Sequence, residues 1–308
     1  MTTADNSAAL NRSAAYASIS VALLLVGLKA WAAWSTGSTA MLGSLADTVL
    51  DLIASIATLA GVWVAAQPAD KHHRFGHGKA EALAALFQIV LISISALTLA
   101  FRAVEQFFAG ARTEAAGDGI LVSVVAMAAT LGLLAWQRHV IKKTNSLAIS
   151  TDHVHYQSDL MLNLAVIGAL VLDQYAGISG SDPVFGLAIA LWLGWGAWKA
   201  SQEAITQLMD REWPEDKRKR FIEVMARHPE LRGVHDLRTR TSGNQDFVQF
   251  HVWVDPDMTI QQAHRVMDEI EIKLLAEFPG VEILIHPDPE GHVDTGIGAK
   301  DLLPPASV

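Results

Sequence analysis

Cysteine is absent from all 308 residues of the chain. No disulfide, thiolate nucleophile or cysteine-bound zinc is therefore available, and any soft-metal chemistry must use histidine, aspartate and glutamate. Charged residues are also scarce, at 18% of the chain against 51% hydrophobic residues, which points away from an ordinary soluble globule. The net charge of -9, with no basic run interleaved with aromatic residues, argues against a nucleic-acid partner.

Long apolar stretches are the main feature that is present. A helix needs about 20 mainly apolar residues to cross the roughly 30 Å hydrocarbon core of a bilayer. Six such stretches occur, at about residues 13–34, 41–66, 82–108, 119–140, 147–174 and 183–201. Residues 1–12 have no basic segment with a cleavage site, so we expect a retained first span and no removed signal. The sequence predicts a multi-pass α-helical membrane protein with six transmembrane helices over residues 13–209, preceded by a short segment over 1–12.

The distribution of lysine and arginine between the short loops predicts the orientation, because cationic flanks resist translocation. One set of flanks carries Arg12, Lys71, Arg74, Lys79, Arg138, Lys142, Lys143 and the cluster Lys217–Arg220. The opposite loops carry only Arg112. Both termini are therefore expected on the cytoplasmic side.

The composition becomes polar after Asp210, which predicts a second domain over residues 210–290. A helix that begins near Pro214, strands over 233–241 and 246–254, a helix over 259–278 and a strand over Val281–Ile285 give the order αββαβ. The apolar face of the second helix is expected to consist of Ile260, Ala263, Val266, Ile270 and Leu274. Residues 291–308 are expected to be disordered.

Ionisable residues inside two of the apolar stretches indicate a site. Asp47 and Asp51 are four residues apart in the second span, and His155 and Asp159 are four apart in the fifth. A pair at this spacing lies on one helix face, so two facing helices can offer four ligands to one ion. An ionised carboxylate at mid-membrane costs about 2.5–3.5 kcal/mol, which makes such residues functional by default. One imidazole and three carboxylates suit Zn²⁺, and also Fe²⁺, Mn²⁺, Co²⁺ or Cd²⁺.

Two further groups of metal-ligand residues lie outside the spans. Asp70, His73 and His77 are spaced for a site in the loop between spans two and three, with His72 as a bystander. In the polar domain a two-metal site bridged by a carboxylate is expected. Its ligands would be His235, His251, His264, His286 and Asp288. Asp152 and His153 are expected to be structural, Asp152 through the charge at a helix N-terminus.

The strings LADTVLD, PADKHHRFGHGKAE, HYQSD, LMDRE, HDLRTR and QFHVWVD together resemble the cation diffusion facilitator family, in particular its bacterial zinc and ferrous-iron efflux branch. The resemblance covers nearly the whole chain. It implies a transport site at Asp47, Asp51, His155 and Asp159, a loop site at Asp70, His73 and His77, and a binuclear cytoplasmic site at His235, His251, His264, His286 and Asp288. Asp288 would bridge the two ions of that last site.

The same resemblance implies a metallochaperone-like cytoplasmic domain, a homodimer in the bacterial inner membrane, and exchange of metal for protons. Zn²⁺, Fe²⁺ or Cd²⁺ would be the cargo, and would also serve as a structural or regulatory ion. An ion pair between Lys79 and Asp210 is implied as well.

Two other functions stay open at this point. A metal sensor or two-metal hydrolase would place its chemistry in the polar domain and use the spans as an anchor. A passive channel would use the same intramembrane site, although tight coordination opposes fast conduction. The secondary active exporter is favoured, because neither an anchor nor a channel needs a four-ligand cage.

Overall fold

The computed structural model describes residues 3–36, 39–109, 120–176, 181–227, 232–243 and 245–291. The chain divides into two compact units, Met1–Thr206 and Gln207–Val308, which are described separately below. The expected disordered tail at 292–308 lies outside the described residues.

The described part of the first unit contains six long helices. They are α1 (Thr3–Thr36), α2 (Thr39–Ala65), α3 (Ala80–Ala109), α4 (Ile120–Thr144), α5 (Leu147–Ala176) and α6 (Ser181–Leu208). In the part of the chain that the structure describes, four stretches are long and apolar enough to cross a membrane: Asn6–Ser35, Ser44–Ala65, Ala80–Phe108 and Val124–Thr144. The helices α5 and α6 are comparably long, at 30 and 28 residues.

The helix ends differ from the expected ones because polar residues continue the helices beyond the apolar stretches. The helix α1 begins at Thr3, so the segment expected to precede the first span is largely helical. The helix α4 continues past residue 140 to Thr144, and Lys142 and Lys143 occupy its last turn. Cations are favoured there by the helix dipole.

Small residues allow the helices of this unit to approach closely. Gly61 of α2 faces Ala84 of α3, and a Cβ built on Gly61 would lie 2.3 Å from the Ala84 Cβ. In α1 the side chains of Ala14, Ala15 and Ala22 are completely buried. Close backbone contact of this kind is the usual basis of helix association in a bilayer.

A buried carboxylate, Asp152 of α5, joins four helices. It accepts hydrogen bonds from Ser18 Oγ of α1 at 2.6 Å, Gln88 Nε2 of α3 at 2.8 Å and Gln137 Nε2 of α4 at 2.8 Å. Its exposed fraction is 0%. The expected role at a helix N-terminus is wrong, because α5 begins at Leu147, more than one turn earlier. Asp152 instead fixes the position of α5 against its neighbours.

A second buried carboxylate, Glu81, lies near the beginning of α3. Asn11 Nδ2 donates to it at 3.1 Å and Ser146 Oγ at 2.8 Å. Asn11 belongs to α1, and Ser146 lies between α4 and α5. Hydrogen bonds to a buried polar group are costly to lose, so Glu81 also ties these helices together.

The second unit has the predicted order αββαβ, which confirms the expected fold class. Its elements are α7 (Glu215–Met225), β1 (Arg232–Ser242), β2 (Gln245–Val254), α8 (Ile260–Glu277) and β3 (Val281–Pro289). The strand β2 is central, antiparallel to β1 and parallel to β3. The helix α8 makes the crossover that a parallel pair requires.

The core of this unit lies between the sheet and the two helices. Phe221, Phe250, Ile270 and Leu274 are almost fully buried at its centre. The alternation in β2 is as expected, with Val248, Phe250 and Val252 buried on one face. The expected inward position of Ile260 is wrong, since its exposed fraction is 90%.

The position of Ile260 follows from the start of α8. Thr259 is the N-cap, and its hydroxyl accepts from the backbone N–H of Gln262 while the Gln262 side chain accepts from the Thr259 N–H. This capping box fixes the helix start. The buried face then begins at Ala263, one turn after Ile260.

Candidate metal centres

The first candidate centre joins α2 and α5. His155 Nε2 lies 3.0 Å from Asp51 Oδ1 and 3.9 Å from Asp159 Oδ2. Asp51, His155 and Asp159 each offer one ligand atom, and these atoms all lie within 4.8 Å of one another. His155 is buried, with an exposed fraction of 7%. The expected pairing of one i, i+4 helix face with another is therefore present for three residues.

Asp47, the fourth expected ligand, is not part of this group of close ligand atoms in the described chain. The residue is exposed in the isolated chain. The carboxylate still lies within electrostatic range of Asp159.

The neighbours of His155 hold α5 against α1 and α2. The hydroxyl of Tyr156 lies 2.9 Å from Ser55 Oγ of α2 and donates to the backbone oxygen of Ser18 in α1 at 3.2 Å. Tyr156 is 1% exposed. Since Tyr156 adjoins His155, these contacts limit the movement of the imidazole relative to Asp51.

A cation that the sequence reading overlooked lies beside α2. Lys29 of α1 donates from Nζ to Thr48 Oγ1 at 2.6 Å and to the backbone oxygen of Ser44 at 3.4 Å. The available signal was a single lysine inside an otherwise apolar stretch. Intramembrane lysines are rare enough to deserve the same scrutiny as the aspartates.

The second candidate centre lies in the loop between α2 and α3. The Asp70 carboxylate is 3.4 Å from His73 Nδ1 and 3.4 Å from His77 Nε2. His77 Nε2 in turn lies 3.1 Å from His73 Nδ1. These three residues form a second group whose ligand atoms lie within 4.8 Å. His77 Nδ1 is buried and has no hydrogen-bond partner among the described residues.

The backbone of this loop stabilises the ionised form of the Asp70 carboxylate. The N–H groups of His73 and His72 donate to Asp70 Oδ1 at 2.6 and 2.7 Å. These bonds, that of His73 first, hold the pKa of Asp70 below its ordinary value. His72 thus contributes its backbone and is not one of the clustered ligand residues. A deprotonated carboxylate beside two imidazoles fits a divalent transition metal.

The third candidate centre lies on the sheet of the second unit. Register pairs His235 with His251 and His251 with His286 across the three strands. Asp288 Oδ2 lies 2.8 Å from His251 Nδ1 and 3.3 Å from His235 Nε2. His235, His251 and Asp288 form the third group of ligand atoms within 4.8 Å.

The backbone sets the orientation of the His235 ring. Nδ1 lies 2.7 Å from the carbonyl oxygen of Gly233, which can only accept a hydrogen bond. In the neutral form of the ring, Nδ1 therefore carries the proton and Nε2 presents a lone pair. Nε2 is buried without a hydrogen-bond partner among the described residues. A histidine fixed in this way by a backbone carbonyl is typical of a metal ligand.

The other two expected ligands of this centre differ from each other. His286 Nε2 lies 3.3 Å from Asp288 Oδ1, and its ring lies 4.6 Å from that of His251. It therefore adjoins the cluster through the second carboxylate oxygen. His264 is exposed on α8, 3.7 Å from Asp268, and is not brought to the group within the described chain.

The ion pair expected between Lys79 and Asp210 would join the two units and stays a prediction. Within the second unit, Asp210 Oδ1 accepts from Arg240 Nη1 at 3.3 Å. Asp210 has a positive φ of 54°, so the turn after α6 holds it in a conformation that few residues adopt.

Comparison with known proteins identifies the family. Two family models match: the cation efflux transmembrane domain over residues 15–209 and the cytoplasmic domain of cation efflux proteins over residues 213–290. The chain belongs to the cation efflux family. A cation-efflux pump FieF of Cronobacter sakazakii is 42% identical over 90% of this chain and 92% of that protein. A cation-efflux pump FieF of Serratia proteamaculans is 42% identical over 94% of this chain and 96% of that protein.

A solved structure, the metal-bound C-terminal domain of the CzcD transporter from Thermotoga maritima, is 26% identical over 26% of this chain and 93% of that one, with a TM-score of 0.25. Membership of the cation efflux family identifies the chain as a membrane transporter for divalent metal cations and not an enzyme. The resemblance stated from the sequence motifs is confirmed, and the alternative of an anchored hydrolase is not supported.

Proposed function

We propose that this chain exports a divalent transition-metal ion, in particular Zn²⁺ and also Fe²⁺ or Cd²⁺, in exchange for protons. The ion would pass through the centre formed by Asp51, His155 and Asp159, with Asp47 completing its coordination. The observation that carries the proposal is the 3.0 Å approach of His155 Nε2 to Asp51 Oδ1 between two helices of the membrane unit.

The donor set is consistent with this cargo. Imidazole nitrogen with carboxylate oxygen suits Zn²⁺ and Fe²⁺, whereas Mg²⁺ and Ca²⁺ prefer oxygen alone. A ligand such as His155 must lose its proton to bind a metal, so binding releases protons and release takes them up. Movement of α2 relative to α5 would open the centre to each side in turn, as alternating access requires.

The two other centres would act on the cytoplasmic side. The loop centre at Asp70, His73 and His77 would hold an ion near the entrance. The centre at His235, His251 and Asp288, with His286 and His264 as further ligands, would hold two ions bridged by Asp288. Ions bound there would favour one arrangement of a homodimer and thereby shift the membrane unit between states, because a ligand shifts only states that it binds differently.

The proposed setting is the inner membrane of a bacterium, with both termini in the cytoplasm and lipid around the apolar helix faces. Its support is the loop distribution of basic residues and the bacterial origin of the curated relatives. Accessibility labelling of a cysteine introduced at residue 72 tests the orientation, since the chain has no native cysteine. Labelling from the periplasmic side alone would contradict it.

Metal flux into proteoliposomes tests the transport proposal. The variant Asp51→Asn keeps the side-chain size and removes the charge, and we expect zinc-coupled proton flux to fall by at least about 100-fold. The control Glu203→Gln changes an exposed carboxylate on α6 and should retain wild-type flux. Flux in Asp51→Asn above half of the wild-type value would contradict the proposal.

A further inference from the structure

A half-buried lysine of α1 is hydrogen-bonded to α2, the helix that carries Asp51 of the proposed transport centre. Lys29 falls within the apolar stretch Asn6–Ser35 of α1. Its two described hydrogen bonds go to uncharged oxygens, the Thr48 hydroxyl and the Ser44 carbonyl. Neutral acceptors do not by themselves balance the positive charge, and a charge within a membrane span is normally retained for a function.

The contacts of Lys29 place its charge next to the ligands. Thr48 follows Asp47 directly and precedes Asp51 by three residues, so it shares a helix face with Asp51. The Lys29 ammonium also lies within electrostatic range of the Asp159 carboxylate on α5. The cation is therefore hydrogen-bonded to α2 at the residue that follows Asp47, and it attracts a carboxylate of α5.

The charge of Lys29 contributes to the total charge of the loaded centre. The carboxylates of Asp47, Asp51 and Asp159 carry three negative charges, and Lys29 supplies one positive charge. One divalent ion with a neutral His155 then makes the centre neutral. Without Lys29 the loaded centre would keep one uncompensated negative charge in a region of low dielectric, and the ion would be held more tightly.

We propose that Lys29 is a fixed cation of the transport centre, a positioning and affinity-setting residue that weakens ion binding enough for release. The inference rests on the proposed function, because it concerns the same centre. A plain packing role, in which Lys29 only tethers α1 to α2 through Thr48, is the alternative that the test must separate.

Zinc flux into proteoliposomes, measured against zinc concentration, gives the half-saturating concentration and the maximal rate for each variant. We expect Lys29→Met and Lys29→Gln to lower the half-saturating concentration by about tenfold and to lower the maximal rate, because a bound divalent ion loses its repulsion by the ammonium. Lys29→Arg keeps the charge and should stay within about threefold of wild type. The control Lys199→Met removes an exposed lysine of α6 and should match wild type.

An unchanged or higher half-saturating concentration in both neutral variants would overturn the inference. Wild-type behaviour of Lys29→Gln, which keeps a hydrogen-bonding group, together with loss of function in Lys29→Met would assign the tether instead. Size-exclusion chromatography checks folding, and Lys29→Gln decides if Lys29→Met does not fold. Measuring the wild type and Asp51→Asn in the same series separates the proposed transport function from the proposed role of Lys29. If Asp51→Asn transports zinc normally, the proposed function fails, irrespective of the results for the Lys29 variants.

Discussion

Asp288 offers the sharpest test of the centre in the second unit. Its carboxylate is 5% exposed and adjoins three imidazoles, those of His235, His251 and His286, at 3.3, 2.8 and 3.3 Å. The variant Asp288→Asn has nearly the same shape but no negative charge, and only one of its two terminal atoms can bind a metal. We expect it to fold and to lose most of its zinc affinity.

The magnitude follows from linkage. An ion that binds only the folded state lowers the equilibrium population of the open state by a factor of one plus its concentration divided by Kd. This factor is about 100, or 2.7 kcal/mol, at 100 times Kd. Loss of the Asp288 charge should weaken the affinity for zinc about 100-fold. Loss of a residue that only hydrogen-bonds to a metal ligand weakens metal affinity by roughly 10- to 100-fold, and loss of a ligand should cost at least as much. The same zinc concentration would then protect Asp288→Asn by only about twofold, or roughly 0.4 kcal/mol.

Hydrogen exchange of the full-length protein in detergent, followed at the amides of β2 with zinc or chelator, measures this protection. For each variant, the exchange rate with chelator is divided by the exchange rate with zinc, and these ratios are compared. The ratio is needed because Asp288→Asn also weakens the metal-free sheet by losing hydrogen bonds to a charged group. The control Asp257→Asn lies in an exposed turn and should keep the full protection. Zinc protection of Asp288→Asn above about 50-fold would refute the role of Asp288 as a ligand.

Three further outcomes test other parts of the molecule. Asp70→Asn should keep the loop conformation and weaken metal binding in the loop, whereas Asp70→Ala should lose both. Because the Asp70 pKa is lowered, the hydrogen bonds from His72 and His73 should persist at pH values above the ordinary pKa of aspartate and be lost only as the pH falls below it, which NMR can follow. Asp152→Ala should cost roughly 2–6 kcal/mol in thermal unfolding, since two buried amides lose their acceptor. Gly233→Ala should destabilise β1 by about 1–3 kcal/mol, because its φ is 54° and a Cβ would lie 2.1 Å from Trp253; Gly280→Ala, with φ 85° and open space, is the control that lacks the clash.

Periodicity was sufficient to predict the architecture. The apolar stretches predicted six long helices, and strict alternation in β2 predicted its buried face. Boundaries were less predictable, because Thr3 begins a helix among polar residues and the last turn of α4 contains Lys142 and Lys143. Ile260 was assigned to the core from its spacing, but the cap at Thr259 places it in solvent.

Closeness in sequence or in strand register explains part of what could be predicted of the candidate centres. The i, i+4 pair His155 and Asp159 and the strand-paired His235 and His251 are such cases. His264 was less predictable, since a spacing on α8 does not show which way that face is turned relative to the sheet. The partners of Lys29 lie on another helix, at Ser44 and Thr48, and no spacing rule connects them.

The hydrogen bonds of each buried carboxylate separate the structural ones from the candidate ligands. Asp152 accepts three donors, one at Oδ1 and two at Oδ2, all from neutral side chains, and Glu81 has a donor at each oxygen. These donors already serve the oxygens that an ion would need. Asp51 and Asp288 instead face imidazole nitrogens, and an imidazole that loses its proton turns from a donor into a metal ligand. The contact between Asp51 and His155 can therefore become a pair of ligands for an ion, whereas the oxygens of Asp152, on the same helix as His155 and Asp159, are already occupied by donors.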